Sequence, residues 1–228
     1  MACEEEGGGP KRKSVEYADM SVFDDDSSQP PKKKLAVSSG DQNGIAAVVA
    51  SHYNKVEEKG KAARTESRIF YMRNFNNWIK SNLIAEFLDK VRAKKEPINV
   101  LYLGCGKGGD LLKWQKEEIS KLVGVDVADV SVKQAKDRYG ALRRQQDRTL
   151  FDAEFHCIDC CKDSILDCLD DPTIRFDLTS CQFVYNYSFD TYPRAEAMLT
   201  NACRYLKMGG FFIGMPIPPS YCFCLRRN

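Results

Sequence analysis

Apolar residues divide this chain into a polar front and a strongly patterned remainder. Residues 1–43 are dominated by Glu4-Glu5-Glu6, Gly7-Gly8-Gly9, Asp24-Asp25-Asp26 and Ser27-Ser28. Such a segment buries too little apolar surface to offset chain entropy, so it reads as disordered. From Ile45 the pattern changes. Residues 45–59 predict a helix ending at Gly60, and residues 76–94 a second one. Its apolar positions Ile79, Leu83, Ile84, Phe87, Leu88 and Val91 fall on one face. Strand and helix signals then alternate. Strands are expected at 98–103, 121–125 and 154–158, within 176–184, and from 211–213. Helices are expected from 110–116, over 130–146 with Ala135, Tyr139 and Leu142 inward, and over 189–207. The last carries Ala195, Met198, Leu199, Ala202 and Leu206 on one face, with Gly209-Gly210 as its stop. Such alternation implies right-handed crossovers and a parallel sheet, an α/β fold.

Composition narrows the picture. The 228 residues suffice for one mid-sized domain plus a tail, with 43 % hydrophobic and 29 % charged residues. A net charge of +2 excludes a polybasic nucleic-acid binder, so any RNA contact must come from a local patch. No secretory apolar region follows Met1, and no apolar run approaches the ~18 residues of a membrane span. A soluble intracellular protein with reduced thiols and no membrane association is expected for the ten cysteines. Cys157, Cys160 and Cys161 hold a single C-x-x-C without a matching pair, which is weak evidence for zinc. At a strand end they read as small buried hydrophobes, and no metal is expected. Lys11-Arg12-Lys13 and Lys32-Lys33-Lys34 both follow proline in the exposed tail and read as nuclear-import signals.

The chemistry concentrates in Leu103-Gly104-Cys105-Gly106-Lys107-Gly108-Gly109-Asp110, which follows the first strand of the alternating series and opens a helix. Glycines there let the backbone turn tightly and approach a ligand with no Cβ in the way. The helix start adds unpaired N–H groups. Asp126 ends the next strand, close to the ~20-residue offset expected of a carboxylate that takes ribose hydroxyls. Dinucleotide and S-adenosylmethionine sites share this logic. Two further strand ends favour the second: Asp159, placed to meet an adenine amino group, and Gln182.

Four blocks resemble the eukaryotic messenger-RNA cap guanine-N7 methyltransferase family. They are Arg73-Asn74-Phe75-Asn76-Asn77-Trp78-Ile79-Lys80, the glycine loop through Leu111-Leu112-Lys113-Trp114, Ala128-Asp129-Val130-Ser131-Val132-Lys133-Gln134, and Ser180-Cys181-Gln182-Phe183. The similarity runs over about residues 51–214. The resemblance implies a Rossmann-like S-adenosylmethionine-dependent methyltransferase sheet, incomplete at the C-terminus. It implies S-adenosylmethionine contacts at Lys80, Gly104, Asp126, Asp159, Gln182 and Tyr187. It implies cap contacts at Asn76 and Asn77, and contacts to the cap or its phosphates at Lys107, Lys113, Arg138 and Asn186. Asn76, Asn77 and Lys80 also share one helix face by spacing alone. The substrate would be capped RNA. The family also works with a small activating subunit, whose docking surface lies largely in the part this chain does not contain.

Guanine N7 has an available lone pair, so no general base is needed and none is expected; the protein's work would be alignment. Three departures from the family stand out. Tyr102 occupies a position where the family usually has an acid. Asn186 stands where histidine is usual. After Gly214 the chain diverges and ends at Asn228, giving expected divisions at 1–43 (tail), 44–214 (methyltransferase domain) and 215–228 (divergent tail). A strand over 211–213 would then keep an unpaired edge. The chain reads as a truncated or alternatively spliced form that methylates caps poorly or not at all. The alternatives are a catalytically inactive S-adenosylmethionine- or RNA-binding regulator and, more weakly, a nicotinamide oxidoreductase.

Overall fold

The strand Asn99–Leu103 (β1) shows how the fold is layered, because alternate side chains on a strand point to opposite faces. Val100 and Tyr102 enter one core and Leu101 and Leu103 the other, and all four are buried. A strand buried on both faces belongs in the middle of a covered parallel sheet. The computed structural model describes residues 44–55, 67–92, 97–145, 150–215 and 223–226. Around β1 stand Lys121–Asp126 (β2), Asp152–Cys157 (β3), Phe176–Gln182 (β4), Leu206–Met215 (β5) and Phe223–Arg226 (β6), in the order β3-β2-β1-β4-β5-β6. All neighbouring pairs are parallel except β5 with β6.

Helices Phe70–Arg92 (α2), Leu111–Lys116 (α3) and Asp129–Gln145 (α4) cover one face. Ile84, Phe87, Leu88, Val91, Leu111, Trp114, Val132 and Ala135 build that core. The six residues of α3 are far fewer than the ~12–15 an isolated helix needs, so burial of Leu111 and Trp114 holds it in place. Tyr192–Cys203 (α5) and the short helix Ile165–Asp167 cover the other face with Met198, Ala202 and Ile165. Gly44–Asn54 (α1) docks on the start of α4. There the Asn54 amide donates to Asp129 (2.7 Å) and its oxygen accepts from the Val130 N–H (3.3 Å). Among the described residues no helix is long and apolar enough to cross a membrane.

Four expectations change. α2 begins at Phe70, six residues before the expected start at 76, so Arg73, Phe75 and Asn76 are helical. The helix expected over 189–207 is α5 alone; Leu206 lies in β5 rather than on a helix face. Gly209-Gly210 lies inside β5, near the register shift that separates the Phe176–Leu206 pair from the Leu178–Phe211 pair, and does not stop a helix. A Cβ at Gly210 would stand 3.0 Å from the carbonyl oxygens of Asp177 and Lys207, which is why glycine serves there. The expected open edge of the fifth strand is closed. β6 returns antiparallel along it, pairing Phe211 with Arg226 through Gly214 with Phe223, so ladder partners replace water on that edge. The helix end expected at Gly60 lies outside the described residues.

Candidate functional site

Parallel pairing sends the carboxyl ends of β1 to β4 to the same side of the sheet, and each expected strand-end residue arrives there. Gly104 follows β1, Asp126 ends β2, Asp159 lies two residues past β3, and Gln182 ends β4. All four line one cleft. Asn76, Asn77 and Lys80 reach it from α2, and Tyr187 from the short helix Tyr185–Ser188 after β4. Ala46, Val49 and Tyr53 of α1 close it from above, with the Tyr53 and Tyr187 hydroxyls 3.1 Å apart. Ligands of open α/β sheets sit beyond the carboxyl ends of the strands, which is where this cleft opens.

The glycine loop is shaped by its neighbours. Gly104 has φ +65, and a Cβ there would lie 2.4 Å from Cγ2 of Val184. Val184 is brought over the loop by Phe183, a non-glycine residue at φ +62. Backbone strain of this kind costs about 1–3 kcal/mol and concentrates at functional sites. The Gly106 N–H donates to Oδ2 of Asp126 (2.8 Å), and the Ala128 N–H to its Oδ1 (2.9 Å), so Asp126 ties the loop after β1 to the end of β2. We expect Asp126→Ala, without any ligand, to lose about 1–3 kcal/mol in urea unfolding, the range for hydrogen bonds to a charged acceptor. An unchanged midpoint would show that the loop is held otherwise.

Asp159 accepts from the Cys161 N–H (3.0 Å) and faces Arg194 (3.4 Å), whose Nε also donates to Asp190 (3.1 Å). Gln182 donates to Ser180 (2.9 Å), and its buried carbonyl oxygen has no partner among the described residues. Nor has the buried Asn76 Oδ1. Buried acceptors of this kind require a donor, and both residues line the cleft.

The strongest electrostatic feature is Asp110. It stands at the start of α3 but does not cap it. Its fully buried carboxylate instead meets Lys113 Nζ (2.8 Å) and Lys80 Nζ (2.9 Å), and accepts from the Tyr102 hydroxyl (2.7 Å). Burial pushes the carboxyl up, but the charges and hydrogen bonds of Lys113 and Lys80 outweigh it and hold Asp110 well below the usual carboxylate range. Lys113 also donates to Asn77 (3.4 Å), so the ion set reaches from the Lys80 end of the cleft to the Asn77 end.

Four expected residues are not brought onto the cleft wall: Lys107, Lys113, Arg138 and Asn186. Lys107 and Lys113 are only 4 % and 8 % exposed. An ammonium buried beside a carboxylate, as in Lys113, supports the site from beneath. Spacing beside a glycine loop suggested surface positions; contacts with Asp110 and Asn77 made Lys113 internal. Residues the sequence reading missed are Tyr53, Arg73, Asp110, Val184 and Arg194. The Asp190–Arg194 spacing of four was a visible signal for the last, and the lysines three residues either side of Asp110 for the third. Nothing in the local sequence marks Tyr53.

Cys160 and Cys161 are packing groups. Burial pushes Cys160 well above the usual thiol value and Cys161 up to about 12, so neither is a thiolate nucleophile. Among the described residues one group of three ligand-type side chains could hold an ion: Glu154, His156 and Asp170. Lys121 Nζ already stands 3.3 Å from Glu154 there, and none of the three lines the cleft.

Comparison with known proteins places this geometry. Residues 36–227 match the family model described as the mRNA (guanine-N(7))-methyltransferase domain. The chain is 42 % identical over 181 residues to the mRNA cap guanine-N(7) methyltransferase of Drosophila melanogaster, covering 76 % of this chain and 42 % of that protein. It is 47 % identical over 171 residues to that of Caenorhabditis elegans, covering 73 % and 44 %. It therefore spans less than half the length of these relatives. Among solved structures, magnesium protoporphyrin IX methyltransferase from Synechocystis PCC 6803 with bound SAM superposes with a TM-score of 0.50 at 12 % identity, covering 81 % of this chain and 80 % of that one; the likeness is one of fold.

Proposed function

The chain belongs to the mRNA (guanine-N(7))-methyltransferase family, and from that premise we propose that its cleft binds S-adenosylmethionine and directs methyl transfer to N7 of the guanosine cap of RNA. One observation carries the reading: Gly104, Asp126, Asp159 and Gln182 converge from four strand ends on the wall that also receives Asn76, Asn77 and Lys80. The residues present fit the cofactor. A loop with no Cβ at Gly104 allows close approach, and the orphaned oxygen of Gln182 asks for a donor such as the amino group of a nucleoside. Asp126 would hold the ribose, Asp159 and Gln182 the adenine, Lys80 the carboxylate, and Tyr187 a flanking wall. When bound, the cofactor supplies an electrophilic methyl group on a sulfonium.

The chain's own residues then have one task, to hold the purine in line with that methyl. N7 presents a lone pair, so no residue takes a proton, and a base is not part of the scheme. Orientation of this kind supplies roughly 7–11 kcal/mol in well-aligned systems. Asn76 and Asn77 are the proposed purine contacts. Lys113 acts through Asn77, whose oxygen it holds at 3.4 Å. Lys107, Arg138 and Asn186 would meet the cap phosphates only after rearrangement, since none lines the cleft. Nuclear residence extends the proposal and is supported by the clusters Lys11-Arg12-Lys13 and Lys32-Lys33-Lys34, which lie outside the described residues.

The test is incubation of the full chain with labelled S-adenosylmethionine and RNA carrying an unmethylated guanosine cap. Label at N7 is expected, at a turnover below that of the Drosophila relative. Absence of label at N7 after prolonged incubation refutes the transferase reading. Turnover equal to the relative's refutes the expected impairment.

A further inference from the structure

Arg194 has no part in the reaction proposed above, yet it stands on the cleft wall together with Asp159. It lies in the first turn of α5, on the sheet face opposite α2, and is 6 % exposed. Two carboxylates hold it. Its Nε donates to Asp190, four residues earlier, at 3.1 Å, and its Nη1 meets Oδ2 of Asp159 at 3.4 Å. The other Asp159 oxygen accepts from the Cys161 N–H at 3.0 Å. Each member of the pair is thus fixed twice, Asp159 by its own turn and Arg194 by the start of its own helix.

The pairing sets an acceptor beside a donor at the end of the cleft assigned to the base. An ionised carboxylate only accepts and a guanidinium only donates, with about four sites on the first and five on the second, more than their mutual contact consumes. Adenine carries the complementary pattern. Its amino group donates and the ring nitrogen beside that group accepts, N1 on one edge and N7 on the other. A 6-oxo purine puts an acceptor where adenine has the amino donor, so its carbonyl would face the Asp159 carboxylate. The proposed reaction brings both kinds of purine to one cleft, the adenine of the methyl donor and the guanine of the cap.

We propose that Arg194 is a specificity-determining residue of the adenine end: its guanidinium donates to the ring nitrogen beside the amino group, while Asp159 accepts from the amino group itself. The inference rests on the cofactor reading above. The pair then admits adenine by two adjoining contacts and turns a 6-oxo purine away. Arginine suits this position because its planar fork can meet a carboxylate and a ring nitrogen at once, which a single ammonium does less well. Asp190 serves as the positioning residue that aims the fork.

The experiment is calorimetric titration of the full chain with S-adenosylhomocysteine and three analogues, in which the base is 1-deazaadenine, 7-deazaadenine or hypoxanthine. One of the two deaza analogues is expected to bind roughly tenfold more weakly than the parent ligand, the scale of a hydrogen bond to a charged group, and the hypoxanthine analogue at least as weakly. In Arg194→Met the parent ligand is expected to fall roughly tenfold, to the level of that deaza analogue, whose own affinity changes by less than about threefold. A purely structural role would instead weaken all four ligands alike, and that result overturns the proposal. So does a wild type that binds both deaza analogues within about threefold of the parent, a comparison that needs no variant to fold. If the wild type binds neither S-adenosylhomocysteine nor adenosine, the cofactor reading falls first and takes this inference with it.

Discussion

Asp110→Asn is expected to lower the unfolding free energy by about 3–5 kcal/mol, the cost of leaving buried charge without its partner. In the parent, two ammoniums, 12 % and 8 % exposed on Lys80 and Lys113, share one carboxylate that is fully buried. The substitution keeps the shape and removes the charge, so Lys80 and Lys113 are left facing each other across an amide. Urea unfolding followed by fluorescence of the two tryptophans measures the loss, and a change under about 1 kcal/mol would show that water reaches the set. Replacing all three charges with apolar groups, Asp110→Leu with Lys80→Met and Lys113→Met, should recover much of the stability, because a buried ion set is often no better than well-packed hydrocarbon.

The same group sets a pH dependence, and its sign follows from the direction of the shift. The folded carboxyl ionises below the ordinary aspartate value, because Lys113 and Lys80 outweigh burial. Its stabilising contribution is therefore complete above about pH 5 and is lost as pH falls below the unfolded value of about 3.9 toward the folded one. Acid titration of stability should be steeper for the parent than for Asp110→Asn. Parallel curves would contradict the assignment.

Gly104→Ala is expected to weaken binding of S-adenosylhomocysteine by roughly a hundredfold and to cost about 1–3 kcal/mol of stability. Two independent causes act at this position. The backbone angle, φ +65, is one that L side chains rarely adopt, and the new Cβ would meet Val184 Cγ2 at 2.4 Å. Val184 directly follows the left-handed residue Phe183 at the end of β4, so its retreat would shift that turn. The two causes separate in a double variant. Val184→Gly removes the colliding atoms, so Gly104→Ala with Val184→Gly should regain the steric part and retain the conformational part. Calorimetry and thermal melting on the four proteins of this cycle decide it. An unchanged affinity in Gly104→Ala would mean that the ligand does not approach the loop.

Much of this protein follows from local spacing. Alternating apolar runs at 98–103 and 121–125 specified strands because a pleated strand repeats every two residues. Ala135, Tyr139 and Leu142 specified a helix because an α-helix repeats every 3.6. The glycine loop and the acid about twenty residues on were legible for the same reason, since one βαβ unit places them by chain length alone. Family resemblance brought Asn76, Asn77, Lys80 and Tyr187 to the same place, and the cleft contains all of them.

What the tertiary structure alone decided depends on contacts between distant segments. The unpaired edge expected at Phe211, Phe212 and Ile213 is paired, because the strand Phe223–Arg226 supplies the ladder, and strand pairing has no local signal at a distance of this kind. Arg194 and Asn201 share the buried face of α5 with the expected Met198 and Ala202, while Ala195 and Leu199 are only partly buried. Each polar group found partners across the layer, Arg194 on Asp159 and Asn201 on the backbone of Cys160, Asp163 and Ile165. Lys113 passed from an apparent surface charge to a buried support because Asp110, thirty residues from Lys80 in the chain, lies under α2. Periodicity along one segment tells which side chains turn inward. Only the docking of segments on one another tells which charges meet there, and at this cleft that meeting sets the chemistry.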